Sequence, residues 1–203
     1  DLLFENGRLV ELALRGQIKC AKSPGEDPMR IGVIGGGSFG TALAKLLAEL
    51  DHDVVMWCHS AEVAQCVNER HENSAYLSGV ALPERLRATD SIAEATAQRE
   101  FLVAVSPSHV IREVMLQARP HLVGAPYVVS AAKGVEEGTL KRMSEVLNEV
   151  LGPEFRGRIA ALSGPSFARE VAAGMPTAVT VAADSAKTAE VVQSTFRAPT
   201  FRV

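Results

Sequence analysis

This chain is poor in the features that extracellular, membrane-spanning and nucleic-acid-coating proteins rely on. Cysteine is scarce, with three residues in 203, at Cys20, Cys58 and Cys66. They form no paired disulfide framework and point to a reducing, cytoplasmic compartment. The net charge of −3 offers no basic field, so neither nucleic acid nor an acidic membrane surface would be held nonspecifically. No apolar run approaches the roughly 18 residues that a membrane-spanning helix needs. Cys58, His59 and Cys66 lie close together, but Cys-x7-Cys matches no common zinc spacing; two ordinary thiols are the simpler account, and no metal is expected.

What is present describes an ordinary globular protein with a real core: 47% of residues are hydrophobic and 22% charged. The length suits one good-sized domain, or one plus a small appendage. Residues 1–28 differ from the rest. They begin without Met, their apolar positions are broken by Glu5, Arg8, Glu11, Arg15 and Lys19, and they close on the breaker-rich Ser23–Pro24–Gly25–Glu26–Asp27–Pro28. The charges interrupt the apolar core of about 7–15 residues that a secretory signal requires. An appended, poorly ordered leader over 1–28 is expected, with one domain over 29–203.

From Met29 onward strand and helix signals alternate. Strands are predicted at Arg30–Ile34, Asp53–Cys58, Phe101–Val105, Tyr127–Ser130, Ile159–Leu162, Ala178–Val181 and Thr200–Val203. Helices are predicted at Ser38–Leu50, Ala61–Arg70, after the capping-box pattern Ser91-x-x-Glu94, after Ser106–Pro107, from Leu140 to Leu151, and at Ala186–Phe196. Pro120 should stop the helix that follows Ser106. This alternation means an α/β fold with a doubly wound, mostly parallel, Rossmann-like sheet. Ligands in such sheets sit outside the carboxyl ends of the strands, which directs attention to the loops after Ile34, Trp57, Val105, Ser130 and Leu162.

The first of these loops is the strongest signal. Gly35-x-Gly37-x-x-Gly40 follows an apolar strand and opens an amphipathic helix. Gly35 allows a tight turn, Gly37 clears space for a pyrophosphate, and Gly40 lets helix and strand pack closely. Free amides at the helix start attract the anion.

At the second strand end Cys58–His59–Ser60 stands where NAD-preferring sites carry Asp or Glu, and Glu62 falls one step too far by simple register. Without a carboxylate to repel a 2′-phosphate, and with His59 and Ser60 able to donate to it, NADP (NADPH) is favoured and NAD is the alternative. Lys133, just past the strand ending at Ser130, is suited to hold a substrate oxygen or to stabilise charge developing on a carbonyl. Ser163–Gly164–Pro165–Ser166 has the same layout, with Pro165 starting a helix and Ser166 presenting a hydroxyl. Ser166 and His109 do not make a hydrolase, since no G-x-S-x-G elbow is present.

Five blocks in order, IGVIGGGSFGTALA, NSAYLSGVALPE, SPSHVIREV, SAAKGVEEGT and LSGPSFAREVAAGMPTAV, resemble the nicotinamide-binding half of the bacterial-type glycerol-3-phosphate dehydrogenase family. The resemblance implies a cytoplasmic oxidoreductase that interconverts dihydroxyacetone phosphate and sn-glycerol 3-phosphate for phospholipid synthesis. It implies cofactor contacts at Ser38, Phe39, His59, Lys133 and Ala168, and substrate contacts at Lys133, Gly164 and Ser166, with Lys133 catalytic. Ser78 departs from the proline common in the family. The family's C-terminal helical domain, with its second lysine and most of its phosphate-binding residues, is absent from these 203 residues, so weak or no turnover is expected of them alone. An apolar face left exposed would promote self-association, which keeps a homo-oligomer open. Two alternatives also stay open: a non-catalytic nucleotide-binding module, and a sister dehydrogenase with another substrate.

Overall fold

The computed structural model describes residues 28–203; the leader expected over 1–28, apart from Pro28, and Cys20 lie outside them. Nine strands run in the order β1 Arg30–Ile34, β2 Asp53–Trp57, β3 Arg87–Thr89, β4 Phe101–Ala104, β5 Tyr127–Ser130, β6 Ile159–Ser163, β7 Thr177–Ala178, β8 Thr180–Ala183 and β9 Phe201–Arg202. The helices are α1 Ser38–Glu49, α2 Ala61–Arg70, α3 Ile92–Thr96, α4 Ile111–Ala118, α5 Met143–Leu151, α6 Ala168–Ala172 and α7 Ala186–Thr195. Seven strands form one sheet in the order β3-β2-β1-β4-β5-β6-β8, parallel except for β8, which pairs antiparallel with β6. β7 and β9 form a separate parallel pair. The chain is thus an α/β, Rossmann-like protein whose strand order reverses between β1 and β4.

Burial follows from strand alternation. Val33, Met56, Val103 and Val129 face one side of the sheet and pack with Leu43 and Leu47 of α1, Val67 of α2 and Val192 of α7. Their neighbours Ile34, Val55, Leu102 and Val128 face the other side, against Ile111 and Met115 of α4 and Leu147 and Val150 of α5. Both faces are covered, which is why the central strands read as unbroken apolar runs.

Four expectations need correction. Ser106 caps no helix: its hydroxyl donates to the Ile34 carbonyl at 3.0 Å, tying the end of β4 to the end of β1, and α4 begins only at Ile111. Leu140 is not helical. It is 75% exposed with φ 58° and belongs to a loop closed by a Val135–Arg142 bridge, so α5 starts at Met143. Pro165 does not open a helix either: it lies in a bend, Phe167 is extended, and α6 starts only at Ala168. The single run Ala178–Val181 is divided between two sheets at Val179, whose amide bonds to the Arg202 carbonyl. Short β3 was missed because three residues carry no readable period. Ser91 does cap α3, accepting from the Glu94 amide, but the Glu94 carboxylate takes the Thr89 hydroxyl and not the Ser91 amide. Among the described residues no helix is long and apolar enough to cross a membrane.

An aromatic group closes one core. Phe196, fully buried, meets Phe101 of β4 edge-on at 6.1 Å and Phe201 of β9 at 6.1 Å. Phe196→Ala should lower unfolding stability by about 3–5 kcal/mol, read as a lower urea midpoint at unchanged slope.

Candidate functional site

The glycine loop leaves β1 at the point where the strand order reverses. Gly35 turns at φ 136°, and a Cβ there would lie 2.9 Å from the Ser106 nitrogen, so the turn admits no side chain. Gly40 faces back onto that turn. A Cβ on it would run into the Gly35 carbonyl oxygen and come within 2.9 Å of the Val105 side chain. Gly37 differs: nothing lies within 4 Å of where its Cβ would be. Two glycines are therefore demanded by packing, and the third opens onto free space. Gly37 is the N-cap of α1 and supplies no side-chain cap, which leaves the first-turn amides beside exposed Ser38 without a side-chain acceptor.

One brace of this loop was missed from sequence. Asn73, 1% exposed, donates through Nδ2 to the Gly36 carbonyl at 2.9 Å and to the Thr41 hydroxyl at 2.8 Å. Its Oδ1 accepts from the Tyr76 amide at 3.2 Å. One side chain thus satisfies a buried carbonyl in the loop and orders its own segment. Its only sequence signal was that it opened the NSAYLSG block.

The end of β2 holds Cys58, His59 and Ser60. Cys58 is buried beside the loop, where a Cβ on Gly36 would come to 2.5 Å from its Sγ, and burial pushes its thiol up to about 12. Cys66 instead contacts the Ser74 hydroxyl at 3.3 Å. Among the described residues no three His, Cys, Asp or Glu side chains gather as metal ligands. His59 is exposed, with its ring edge toward Trp57 at 6.1 Å. Ser60 caps α2, and its hydroxyl donates to the Glu62 carboxylate, holding that carboxyl below its usual range. Register had put Glu62 too far along to matter; the helical turn brings it back to Ser60.

At the ends of β5 and β6 four of the expected residues meet. The Lys133 ammonium donates to the Gly164 carbonyl at 3.4 Å and lies over the Phe39 ring at 5.4 Å. The Ser166 hydroxyl, nearly buried, donates to that same carbonyl at 3.3 Å. Phe39, Lys133 and Ser166 line a narrow crevice with Ala131, Leu162 and Val179. Gly164 presses on the link between β7 and β8, since a Cβ there would come within 2.9 Å of the Val179 Cα. Ala168, half-buried, opens α6, the helix packed against α1. His59 and Ser60 lie outside this crevice, and His109 sits exposed in the loop before α4.

The loop carrying Lys133 is anchored by a second group missed from sequence. Glu136, 8% exposed, is gripped by Arg112 of α4 through Nε at 2.6 Å and Nη2 at 3.0 Å, and accepts from the Thr139 hydroxyl at 2.5 Å. Arg112 also bonds Glu149 of α5 at 2.8 Å, and Lys141 pairs with that carboxylate. These bonds, the one from Arg112 first, draw the Glu136 carboxyl down to about 2.

A dinucleotide suits these residues on three counts: open space at Gly37, an uncapped helix start, and a cationic side chain that reaches from the end of β5 over Phe39 of α1.

Comparison with known proteins agrees. Residues 30–189 match the family model described as NAD-dependent glycerol-3-phosphate dehydrogenase N-terminus. A glycerol-3-phosphate dehydrogenase (NAD(P)+) from Syntrophotalea carbinolica is 46% identical over 175 residues, covering 86% of this chain and 53% of the relative. The Myxococcus xanthus protein of the same name is 44% identical over 174 residues, covering 86% and 52%. Among solved structures, glycerol-3-phosphate dehydrogenase from Coxiella burnetii superposes with a TM-score of 0.79 at 29% identity, covering 87% of this chain and 53% of that one. The chain therefore spans about half the length of the curated relatives it matches.

Asn73→Ala should leave the buried Gly36 carbonyl with only the long 3.5 Å bond from the Thr41 hydroxyl, lowering stability by about 1–3 kcal/mol, measured by chemical denaturation. The acid response of Glu136 is also fixed in sign. Its folded carboxyl titrates below its ordinary value, so it stabilises the fold above pH ~4.5, and that contribution is lost as pH falls toward about 2. Glu136→Gln should be less stable than the parent at neutral pH, and the gap in urea midpoint should shrink steadily below pH ~4.5.

Proposed function

We propose that this chain, which belongs to the NAD-dependent glycerol-3-phosphate dehydrogenase N-terminal family, binds NAD(P)H across the carboxyl ends of its strands. On this reading 29–203 is the dinucleotide-binding domain of a cytoplasmic oxidoreductase interconverting dihydroxyacetone phosphate and sn-glycerol 3-phosphate. The observation that carries the reading is the unequal packing of the glycines: Gly35 and Gly40 are closed by protein atoms, whereas Gly37 opens beside an uncapped helix. That combination suits a diphosphate and has no use in a merely tight turn.

The nicotinamide, when bound, supplies the hydride. The chain's own residues bind and orient. First-turn amides near Ser38 and Phe39 hold the diphosphate bridge. The Lys133 ammonium, fixed over Phe39 and beside Gly164, donates to a substrate oxygen and stabilises the negative charge that a carbonyl gains on reduction. Ser166 and the Gly164 main chain border the same substrate, and Ala168 borders the nicotinamide side. At the β2 end, the Glu62 carboxylate accepts the hydrogen bond of the Ser60 hydroxyl and leaves exposed His59 as the donor to a 2′-phosphate, so NADPH is favoured through His59. Glu62 itself can accept from a 2′-hydroxyl, which accommodates NAD.

Calorimetric titration tests this reading. The parent chain should bind NADPH and NADH, and Gly37→Val should weaken both by at least about tenfold without lowering the melting temperature. Undiminished binding by Gly37→Val would remove the diphosphate from this loop.

A further inference from the structure

The peptide that joins Gly36 to Gly37 has a glycine on each side, so no side chain of its own resists rotation of its plane. The protein has no room to stiffen it locally: a Cβ on Gly36 would come to 2.5 Å from the Cys58 sulfur. Gly37, on the other side, is exposed and opens onto free space. The two edges of this peptide carry opposite chemistry. In a trans peptide the carbonyl and the following amide point in opposite directions. With the Gly36 oxygen outward an anion would meet an acceptor; with the Gly37 amide outward it meets a donor.

The structure holds the second orientation, and the side chain that decides it comes from far along the chain. Asn73 is buried, and its Nδ2 donates to the Gly36 carbonyl at 2.9 Å and to the Thr41 hydroxyl at 2.8 Å. An amide nitrogen carries two hydrogens, so both bonds form at once. Oδ1 accepts from the Tyr76 amide at 3.2 Å, which fixes which way round the Asn73 amide sits. The Thr41 hydroxyl reaches the same carbonyl only at 3.5 Å. The Gly36 carbonyl therefore points into the protein and the Gly37 amide away from it. Among the described residues that amide donates to no protein acceptor. The bond to Thr41 also ties the peptide to α1, so the Gly37 amide is held beside the free amides of the first helical turn.

We propose that Asn73 is a positioning residue for the cofactor diphosphate, keeping the Gly37 amide turned outward as an anion donor before the cofactor arrives. The inference rests on the diphosphate reading of the glycine loop and adds to it the group that presets the loop. Donors already aimed at an anion need no reorganisation when it binds. Without Asn73 the peptide between two glycines samples both orientations, and the cofactor must select the competent one, which weakens its apparent affinity. Asn73 acts through the Gly36–Gly37 peptide, not by contact with the cofactor.

Titration of the isotope-labelled chain with NAD+, by calorimetry and by amide chemical shifts, tests this. NAD+ lacks the 2′-phosphate, so His59 does not enter the comparison. In the parent the Gly37 amide proton should move downfield as it bonds the diphosphate. Asn73→Ala should weaken NAD+ by at least about tenfold, and its Gly37 proton should move less even at saturation. Asn73→Asp, which keeps the acceptor for the Tyr76 amide and loses the donor to Gly36, should show the same two changes and guards against misfolding of the first variant. Phe196→Leu, which loosens the core at the opposite end of β4, should bind NAD+ as the parent does, separating loop orientation from general loss of stability. Parent-like affinity in both Asn73 variants, or a Gly37 proton that moves as far in them as in the parent, would overturn the proposal and leave the diphosphate reading intact. Failure of the parent to bind NAD+ would overturn both.

Discussion

A side chain on Gly40 would collide with the carbonyl oxygen of Gly35, and the rest of the molecule depends on that approach. Because α1 can close onto the end of β1, its first turn sits at the reversal of strand order, where no crossover covers the sheet. The same approach brings Val105 against Gly40 and lets the Ser106 hydroxyl reach the Ile34 carbonyl. β1 and β4 are thereby joined at the mouth of the site as well as along their ladder. A larger residue at Gly40 would push α1 outward and separate the helix start from the strand ends that face it.

The loops around that point are held by buried polar bonds of long sequence reach. Asn73 braces the Gly36 carbonyl from 37 residues away. Arg112 grips Glu136 across 24 residues and fixes the loop that presents Lys133. Each bond satisfies a group the protein has already desolvated, so breaking it costs more than the bond itself contributes. Rigidity at this end of the sheet thus comes from side chains beside the crevice, while the residues lining it stay free to meet a ligand.

How much of this could be read in the sequence follows from the range of each interaction. The glycine loop, the apolar strands and most helices were legible, because turn chemistry and burial on both sheet faces leave a local pattern. Local grammar misled at Ser106–Pro107, which has the form of a helix start. A tertiary hydrogen bond to Ile34 captured the hydroxyl instead. Leu140 fits the helical period of Met143 and Leu147, but the Val135–Arg142 bridge claims its segment. The meeting of Lys133, Gly164 and Ser166 was legible from their places after strands. Asn73 and Glu136 were not, because neither residue type signals a partner so distant in the chain.

The end of β2 shows how three-dimensional neighbours revise a charge argument. Sequence register separates Glu62 from the strand end, leaving His59 and Ser60 as two apparent donors. Ser60 instead caps α2, which starts one residue later and carries Glu62 in its first turn. A carboxylate in a helical first turn is stabilised by the amides there, so Glu62 has its own reason to remain charged and close. The Ser60 hydroxyl then donates to Glu62, and a 2′-phosphate approaching Ser60 would meet an acceptor where a donor was expected. On the proposed reading His59 would carry the attraction for that phosphate, and Glu62 would offer a 2′-hydroxyl what the strand end itself lacks. On that reading one short turn would serve either cofactor, with the balance between them resting on a single exposed imidazole.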